Sequence, residues 1–446
     1  MQKDFTKGPI TGNLLQFALP MMLGNLLQQF YNIADTWIVG RYLGANALAA
    51  VGSSYTLMIF LTSILLGLCM GSGAAFSIQY GRRDTERLKS SLVLSFFLIA
   101  AVTLFLNTAV FFGLGLIVRA LQVPAEVAPL MKDYLQIIFL GIAATFLYNY
   151  FASVLRAIGN SLVPLVFLGT SALLNIALDL LFVLGLQAGV KGAAAATVIA
   201  QCVSGFSIAG YVLFRLRDLR PAKRHLRWRA DIVRELAGFS FLTSMQQSIM
   251  NFGVLLIQGL VNSFGTVVMA AFAAAVKINS FAHMPAQDFG NAFSTFVAQN
   301  YGAGQHERIR KGIRSAVSTA FLFCVTISAL VCIFARPLLG LFIQPGETEI
   351  LAVGVQYLRI EGSCYFGIGL LALLYGYYRA IRRPGISVVL TVISLGTRVV
   401  LAYLLAPVPS IGVVGIWIAV PIGWLFADVT GVLYQRRLLR AAETGR

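Results

Sequence analysis

Four residues combine into a set of hard oxygen ligands: Asp35, Asn175, Asp179 and Thr197. Asn175 and Asp179 are four apart, so on a helix they stand one turn above each other on one face. Thr197 closes the small-residue run Gly192-Ala193-Ala194-Ala195-Ala196, which lets another helix approach closely. If the segment carrying Asp35 packs there, two carboxylates, an amide and a hydroxyl converge. Such oxygens suit hard cations. Two adjacent carboxylates also raise each other's proton affinity, so the set could coordinate sodium or accept a proton. An ionised Asp at mid-bilayer costs about 2.5–3.5 kcal/mol on insertion scales. A satisfied structural network is the competing reading of Asp35 and Asp179, and that cost weighs against it.

The elements holding these residues are long and apolar. The chain of 446 residues is 58% hydrophobic and 11% charged, where soluble domains carry about 25% charge. Mean hydropathy is +0.81. Soluble enzymes, secreted scaffolds and disordered proteins are thereby excluded. A membrane β-barrel would read as alternating segments of about ten residues, not continuous apolar runs. At about 20 residues per crossing, the chain predicts twelve spans near 13–39, 45–76, 89–118, 131–155, 162–186, 192–214, 236–263, 266–298, 312–340, 350–380, 386–406 and 412–434.

The net charge of +17 follows the same layout. Twenty-six Lys and Arg fall on the side of the N-terminus and six on the other, with Lys277 and Arg398 inside spans. This positive-inside signal puts both termini in the cytoplasm. The basic loops suit orientation and anionic headgroups rather than nucleic acid. No signal peptide is expected, because the first apolar run is too long. Cys69, Cys202, Cys324, Cys332 and Cys364 all fall in predicted helices, without metal-ligand spacing, and read as small apolar packers.

The chain repeats itself inexactly. At an offset of 221, Gly44 meets Gly265, Gly81 meets Gly302 and Glu86-Arg87 meets Glu307-Arg308; at 223, Arg156-Ala157-Ile158 meets Arg379-Ala380-Ile381 and Gly189 meets Gly412. Inexact repeats are typical of transporters. The division expected is an N-lobe over 1–214 (helices 1–6), a cytoplasmic linker over 215–235, and a C-lobe over 236–446 (helices 7–12 with a basic tail). The copies share one membrane orientation, with a cavity between them. The offsets set Asp35, Asn175, Asp179 and Thr197 against Leu256, Arg398, Ala402 and Val420. The second half therefore lacks the oxygen ligands.

That half carries its own polar set, Lys277, His283, Gln287 and Asp288 in helix 8 and Arg398 in helix 11. Lys277 and Asp288 are eleven apart, too far to pair directly, and either line a wet substrate cavity or pair elsewhere. Glu361 and Asp428 near helix ends read as interfacial. Pro20 and Gly24 offer a hinge in helix 1. Gly40–Gly44 and Gly67–Gly71 have GxxxG spacing and predict close helix packing. No nucleotide-cradling GxxxxGK[ST] loop, HExxH or GxSxG motif is present.

The run Leu19-Pro20…Gly24…Gln28…Tyr31…Asp35…Gly40-Arg41…Gly44 resembles the first helix of multidrug and toxic compound extrusion (MATE) transporters. Arg156-Ala-Ile-Gly159-Asn160 with Pro164, then Asn175…Asp179, Gly192…Thr197 and Gln299-Asn300-Tyr-Gly302-Ala-Gly304, is similar to the same family, in the same order over the whole chain. The resemblance implies an all-α, V-shaped pair of six-helix bundles. Such proteins export amphipathic organic compounds, cationic ones included, by alternating access in exchange for Na+ or H+, with no cofactor and no enzymatic step. In its DinF-like branch, the N-lobe cation site matches Asp35, Asn175, Asp179 and Thr197, and family patterns add Gln28, Tyr31 and Asn149 to the cavity. The other branch uses acids of helices 7 and 10, and helix 7 here has none. The expected setting is the plasma membrane, as a monomer.

On this reading, cation capture by Asp35 and Asp179 bends helix 1 at Pro20 and releases the substrate. The runner-up is a lipid-linked oligosaccharide flippase of the wider superfamily, for which Lys277 and Arg398 would line a cationic groove. A channel or membrane scaffold would show no counter-transport.

Overall fold

A computed structural model describes residues 3–120, 123–344 and 346–443. The described chain is helical almost throughout. In the first half the helices are α1 (Ile10–Leu43), α2 (Ala45–Gly81), α3 (Thr85–Ala120), α4 (Ala128–Leu140), α5 (Ile142–Ala157), α6 (Leu162–Asp179, running on as a π turn to Gly185) and α7 (Gly189–Arg215). The second half holds α8 (Ala230–Asn262), α9 (Thr266–Gly302), α10 (His306–Ile333), α11 (Ala335–Gly340), α12 (Thr348–Gly362), α13 (Tyr365–Ala380), α14 (Pro384–Leu405) and α15 (Val414–Glu443).

Each expected span has its helix. Among the described residues, nine helices are long and apolar enough to cross a bilayer, and two bent pairs raise the number to eleven. The twelfth is α8, which has the length at 33 residues. Its apolar run is diluted by Gln246, Gln247, Asn251 and Gln258. The bends lie inside the spans expected at 131–155 and 350–380: α4 meets α5 at 47° and α12 meets α13 at 48°. At the first, the Gly141 N–H bonds the Ile138 carbonyl, a tightened turn that ends α4.

The repeat is visible in the backbone. Left-handed residues recur in pairs: Gly44 with Gly265, Arg83 with Gly304, Gly159 with Arg382 and Gly189 with Gly412. Their spacings are the 221 and 223 found in the sequence. Two of the eight are arginines, held in a conformation that costs an L-residue roughly 1–2 kcal/mol, so the turn itself is retained whichever residue occupies it.

The chain divides into two compact units, one of residues 1–4 and 19–244, the other of 5–18 and 245–446. Relative to a cut at the linker, 5–18 goes with the second half and 230–244 with the first. The division crosses α1 between Ala18 and Leu19, next to Pro20, and the helix runs through that proline unbroken. In the second unit Phe5 is fully buried against Phe17 and Phe296. Its N–H donates to Gln299 Oε1 at 3.1 Å, and its carbonyl accepts from Asn300 Nδ2 at 3.1 Å and Arg308 Nε at 2.9 Å.

The two GxxxG motifs separate. A Cβ on Gly67 would stand 2.3 Å from Ser244 Cα, and one on Gly71 would stand 2.4 Å from the Phe239 carbonyl, so this pair seats α2 directly on α8. Ser240 Oγ and Ser244 Oγ stitch the contact, donating to the Leu68 and Ile64 carbonyls. The Gly40–Gly44 spacing does not mark a helix contact. Gly40 faces only Leu48, and Gly44 is the left-handed turn (φ 88°) that opens α2. Overpacking a close contact costs about 1–3 kcal/mol. Gly71→Val should therefore lower the apparent melting temperature in detergent by several degrees, while Gly44→Ala should show only turn strain without a loss of helix packing.

Candidate functional site

The acidic cluster forms within the first unit. On α1, Leu19, Leu23, Leu27, Phe30, Ile33 and Trp37 are exposed at helical spacing, an apolar stripe suited to lipid. The remaining face carries Tyr31 and Asp35. This face meets α6: a Cβ on Gly24 would lie 3.5 Å from Leu168 Cδ2, and one on Gly169 3.7 Å from Leu27 Cδ1. The two helices therefore run in the same direction. Eleven residues beyond Gly24 stands Asp35, and eleven beyond Leu168 stands Asp179, so equal rise per residue brings the carboxyls level.

They meet there. Asp35 and Asp179 lie within side-chain hydrogen-bond reach of each other, with 9% and 0% of their surface exposed. Asn175 is buried one turn before Asp179. With its amide turned to match donors to acceptors, as hydrogen-bond networks dictate, Nδ2 donates to Asp179 Oδ2 at 3.2 Å and Oδ1 accepts the Thr197 N–H at 3.2 Å. Thr197 Oγ1 donates to the Ala193 carbonyl at 3.2 Å and keeps a lone pair for the cluster. Ala193, Ala194 and Ala196 are fully buried, so the small-residue run does bring α7 close.

Oδ1 of Asp35 and Oδ1 of Asp179 are buried and have no hydrogen-bond partner. Among the described residues no Lys, Arg or His pairs with either acid. An uncompensated buried carboxylate is strongly unfavourable, and two within reach of each other more so. The donor set of two carboxylates, an amide and a hydroxyl suits one small hard cation or one shared proton. No group of three or more His, Cys, Asp or Glu capable of holding a metal occurs among the described residues.

The surroundings are aromatic. Tyr31 sits in the field of Asp35 and Asp179 and hydrogen-bonds Gln28; Tyr55 lies beside Tyr31. Tyr134 on α4 is buried and feels both acids and Tyr31. Sequence reasoning missed Tyr134 and Tyr55. Tyr134 follows Lys132 and Asp133 at a helix start, where an aromatic reads as an interface anchor. Asn149 bonds back to its own helix, with Nδ2 donating to the Thr145 carbonyl at 2.8 Å.

In the second unit the candidate residues disperse. Lys277 is exposed with Nζ 5.8 Å from the centre of the Phe342 ring, and Asp288 is buried. His283 instead meets Glu361. His283 Nε2 is 3.5 Å from Glu361 Oε1, Arg398 acts electrostatically on His283 and Tyr357, and Tyr357 hydrogen-bonds Glu361. Asn279 Nδ2 donates to the Tyr357 hydroxyl at 3.0 Å, and Asn279 Oδ1 accepts from Tyr365. Glu361 and Asp428 are not interfacial: they are 2% and 7% exposed. The bend between α12 and α13 starts at Gly362, so the helix end that seemed to place Glu361 near water is an internal break.

An all-helical polytopic chain with a buried acidic cluster in one of two repeated halves defines a membrane transporter. Its family is shown directly. A family model described as MatE matches residues 20–181 and again 242–404, and the chain belongs to the MATE family; it is a transporter and not an enzyme. It is 31% identical over 435 residues to the probable multidrug resistance protein YpnP of Bacillus subtilis, covering 97% of this chain and 96% of that one. It is 28% identical over 429 residues to the probable multidrug resistance protein YoeA of the same organism, covering 93% and 91%. A solved structure described as an outward-facing conformation of a multidrug resistance MATE family transporter has the same fold, with a TM-score of 0.91, 24% identity and coverage of 98% and 97%.

Removing one member of a buried hydrogen-bonded set leaves its partners unpaired, at about 1–3 kcal/mol. Asn175→Ala should therefore lower thermal stability in detergent. Asp179→Asn, which removes the uncompensated charge and keeps the shape, should leave stability unchanged or raise it. Equal losses in the two variants would show that the cluster is a satisfied structural network.

Proposed function

We propose that this chain is a secondary active exporter that moves amphipathic organic compounds, cationic ones included, across the plasma membrane in exchange for Na+ or H+. The observation that carries this reading is the Asp35–Asp179 pair: two buried carboxyls within reach of each other, each with an oxygen lacking a partner and neither facing a fixed cation. A mobile cation or proton supplies the missing positive charge. Asn175 orients Asp179, and Thr197 offers its hydroxyl. Tyr31, Tyr134 and Gln28 form the polar edge through which ion occupancy reaches the cavity. This is the DinF-like mode, with coupling in the first half.

Loading neutralises the pair and removes the repulsion that separates the level carboxyls on α1 and α6. Helix α1 then bends near Pro20 and Gly24, reshapes its substrate-facing side and releases the compound. Discharge of the ion on the other side resets the cluster. The basic loops set both termini in the cytoplasm, and the chain works as a monomer. The similarity to YpnP and YoeA, both described as probable multidrug resistance proteins, supports the cargo class. A lipid-linked oligosaccharide flippase is disfavoured, because both of these relatives are described as probable multidrug resistance proteins.

In liposomes with an imposed sodium or proton gradient, wild-type protein should export a cationic dye under one of the two. Asp35→Asn and Asp179→Asn should each cut gradient-driven export at least tenfold, about 1.4 kcal/mol or more in the coupled step, while eluting as folded monomers. Export at the wild-type rate in either variant would refute the coupling role.

A further inference from the structure

The segment joining α7 to α8 has one anchored side and one free side. Its two short 3-10 turns are Arg217–Leu219 and Lys223–Leu226. On the anchored side His225 is buried. Its Nδ1 accepts the Ala222 N–H at 2.8 Å, which leaves Nε2 to donate to Glu86 Oε2 at 3.1 Å. Arg224 reaches Glu86 Oε1 at 2.7 Å. Arg87 bridges Asp231 at 3.1 Å and Glu235 at 2.7 Å. These contacts tie the segment to the start of α3.

After His225 the backbone extends, with Arg227 at φ −66° and ψ 133°. Leu226 and Trp228 flank this extended residue. They are 55% and 73% exposed. These two lie beyond the end of α7 at Arg215 and before the start of α8 at Ala230. Arg217, Lys223 and Arg227 lie on the same segment and form no ion pair among the described residues. Residues 215–234 carry eight Lys and Arg against two Asp.

We propose that Leu226 and Trp228, framed by Arg217, Lys223 and Arg227, dock onto an anionic phospholipid surface. The amphipathic indole suits the headgroup layer, the leucine reaches the acyl boundary, and each nearby cation is drawn to lipid phosphates. The charge selects anionic over zwitterionic lipid. The side-chain pair supplies insertion that a basic loop alone lacks. Because the segment joins the halves and is pinned at Glu86, the leaflet holds the start of α8 at a fixed depth.

The test uses the full chain in nanodiscs with tail-brominated lipid, reading Trp228 as the difference in emission between wild type and Trp228→Phe. With phosphatidylglycerol present, bromine should quench the Trp228 component and acrylamide should reach it poorly. In pure phosphatidylcholine, or at high salt, bromine quenching should fall several-fold. The combined variant Arg217→Gln, Lys223→Gln, Arg227→Gln should lose the dependence on lipid charge while keeping the elution profile of the wild type. Quenching that is equal in both lipids, or acrylamide access that is equal in both, overturns the proposal. Shielding by a soluble polyanion such as heparin, with none from phosphatidylglycerol, also overturns it and assigns the surface to a soluble partner.

Discussion

The constraint on which the first half depends is the mutual proximity of two buried acids. A single buried carboxylate can be accommodated by hydrogen bonds from neighbouring donors. Asp35 and Asp179 receive too few: each has one oxygen with no partner, and Asn175 provides a single donor to Asp179. Their separation is set by α1 and α6 running level from Gly24 and Leu168, so neither acid escapes without moving a helix. The energy of the cluster is therefore tied to the position of α1, and whatever neutralises the pair also acts on that helix.

Much of this was legible in the sequence. Apolar runs report the spans because lipid demands about 20 apolar residues per crossing, and the twelve expected runs each hold a helix. The four polar residues Asp35, Asn175, Asp179 and Thr197 were legible as a group because the repeat broke at those positions, and the structure places them near one another. The repeat also appears as matched left-handed turns, including Arg83 opposite Gly304 and Gly159 opposite Arg382, where residue type alone hides the equivalence.

What was hidden has a common cause. Hydropathy averages over a window and does not register a break of two or three residues. The bends at Gly141 and after Gly362 were invisible for that reason, and the burial of Glu361 went with them. Tyr134 shares the cause, since its neighbours Lys132 and Asp133 suggest a wet interface while its ring turns inward. The Gly40–Gly44 spacing misled in the opposite direction: the motif that seats α2 on α8 at Gly67 and Gly71 also describes, four residues apart, a helix residue and a turn. Spacing records separation along the chain, and only the chain's path decides whether both glycines face a partner.

The two halves meet the problem of a buried acid in different ways. Glu361 has His283 at 3.5 Å, the Tyr357 hydroxyl, and Arg398 acting on the same group of residues. Those groups are fixed parts of the protein, although Glu361 Oε2 is itself buried without a hydrogen-bond partner. Asp35 and Asp179 have no such partner, and the equivalent of Asn175 in the second half is Arg398 itself, at the offset of 223. One position thus holds an amide in the first half and a guanidinium in the second. A repeat constrained only by packing would not place a neutral ligand and a fixed cation at matched sites. The matched position therefore differs in charge between the halves, an amide beside two buried acids in the first and a guanidinium in the second.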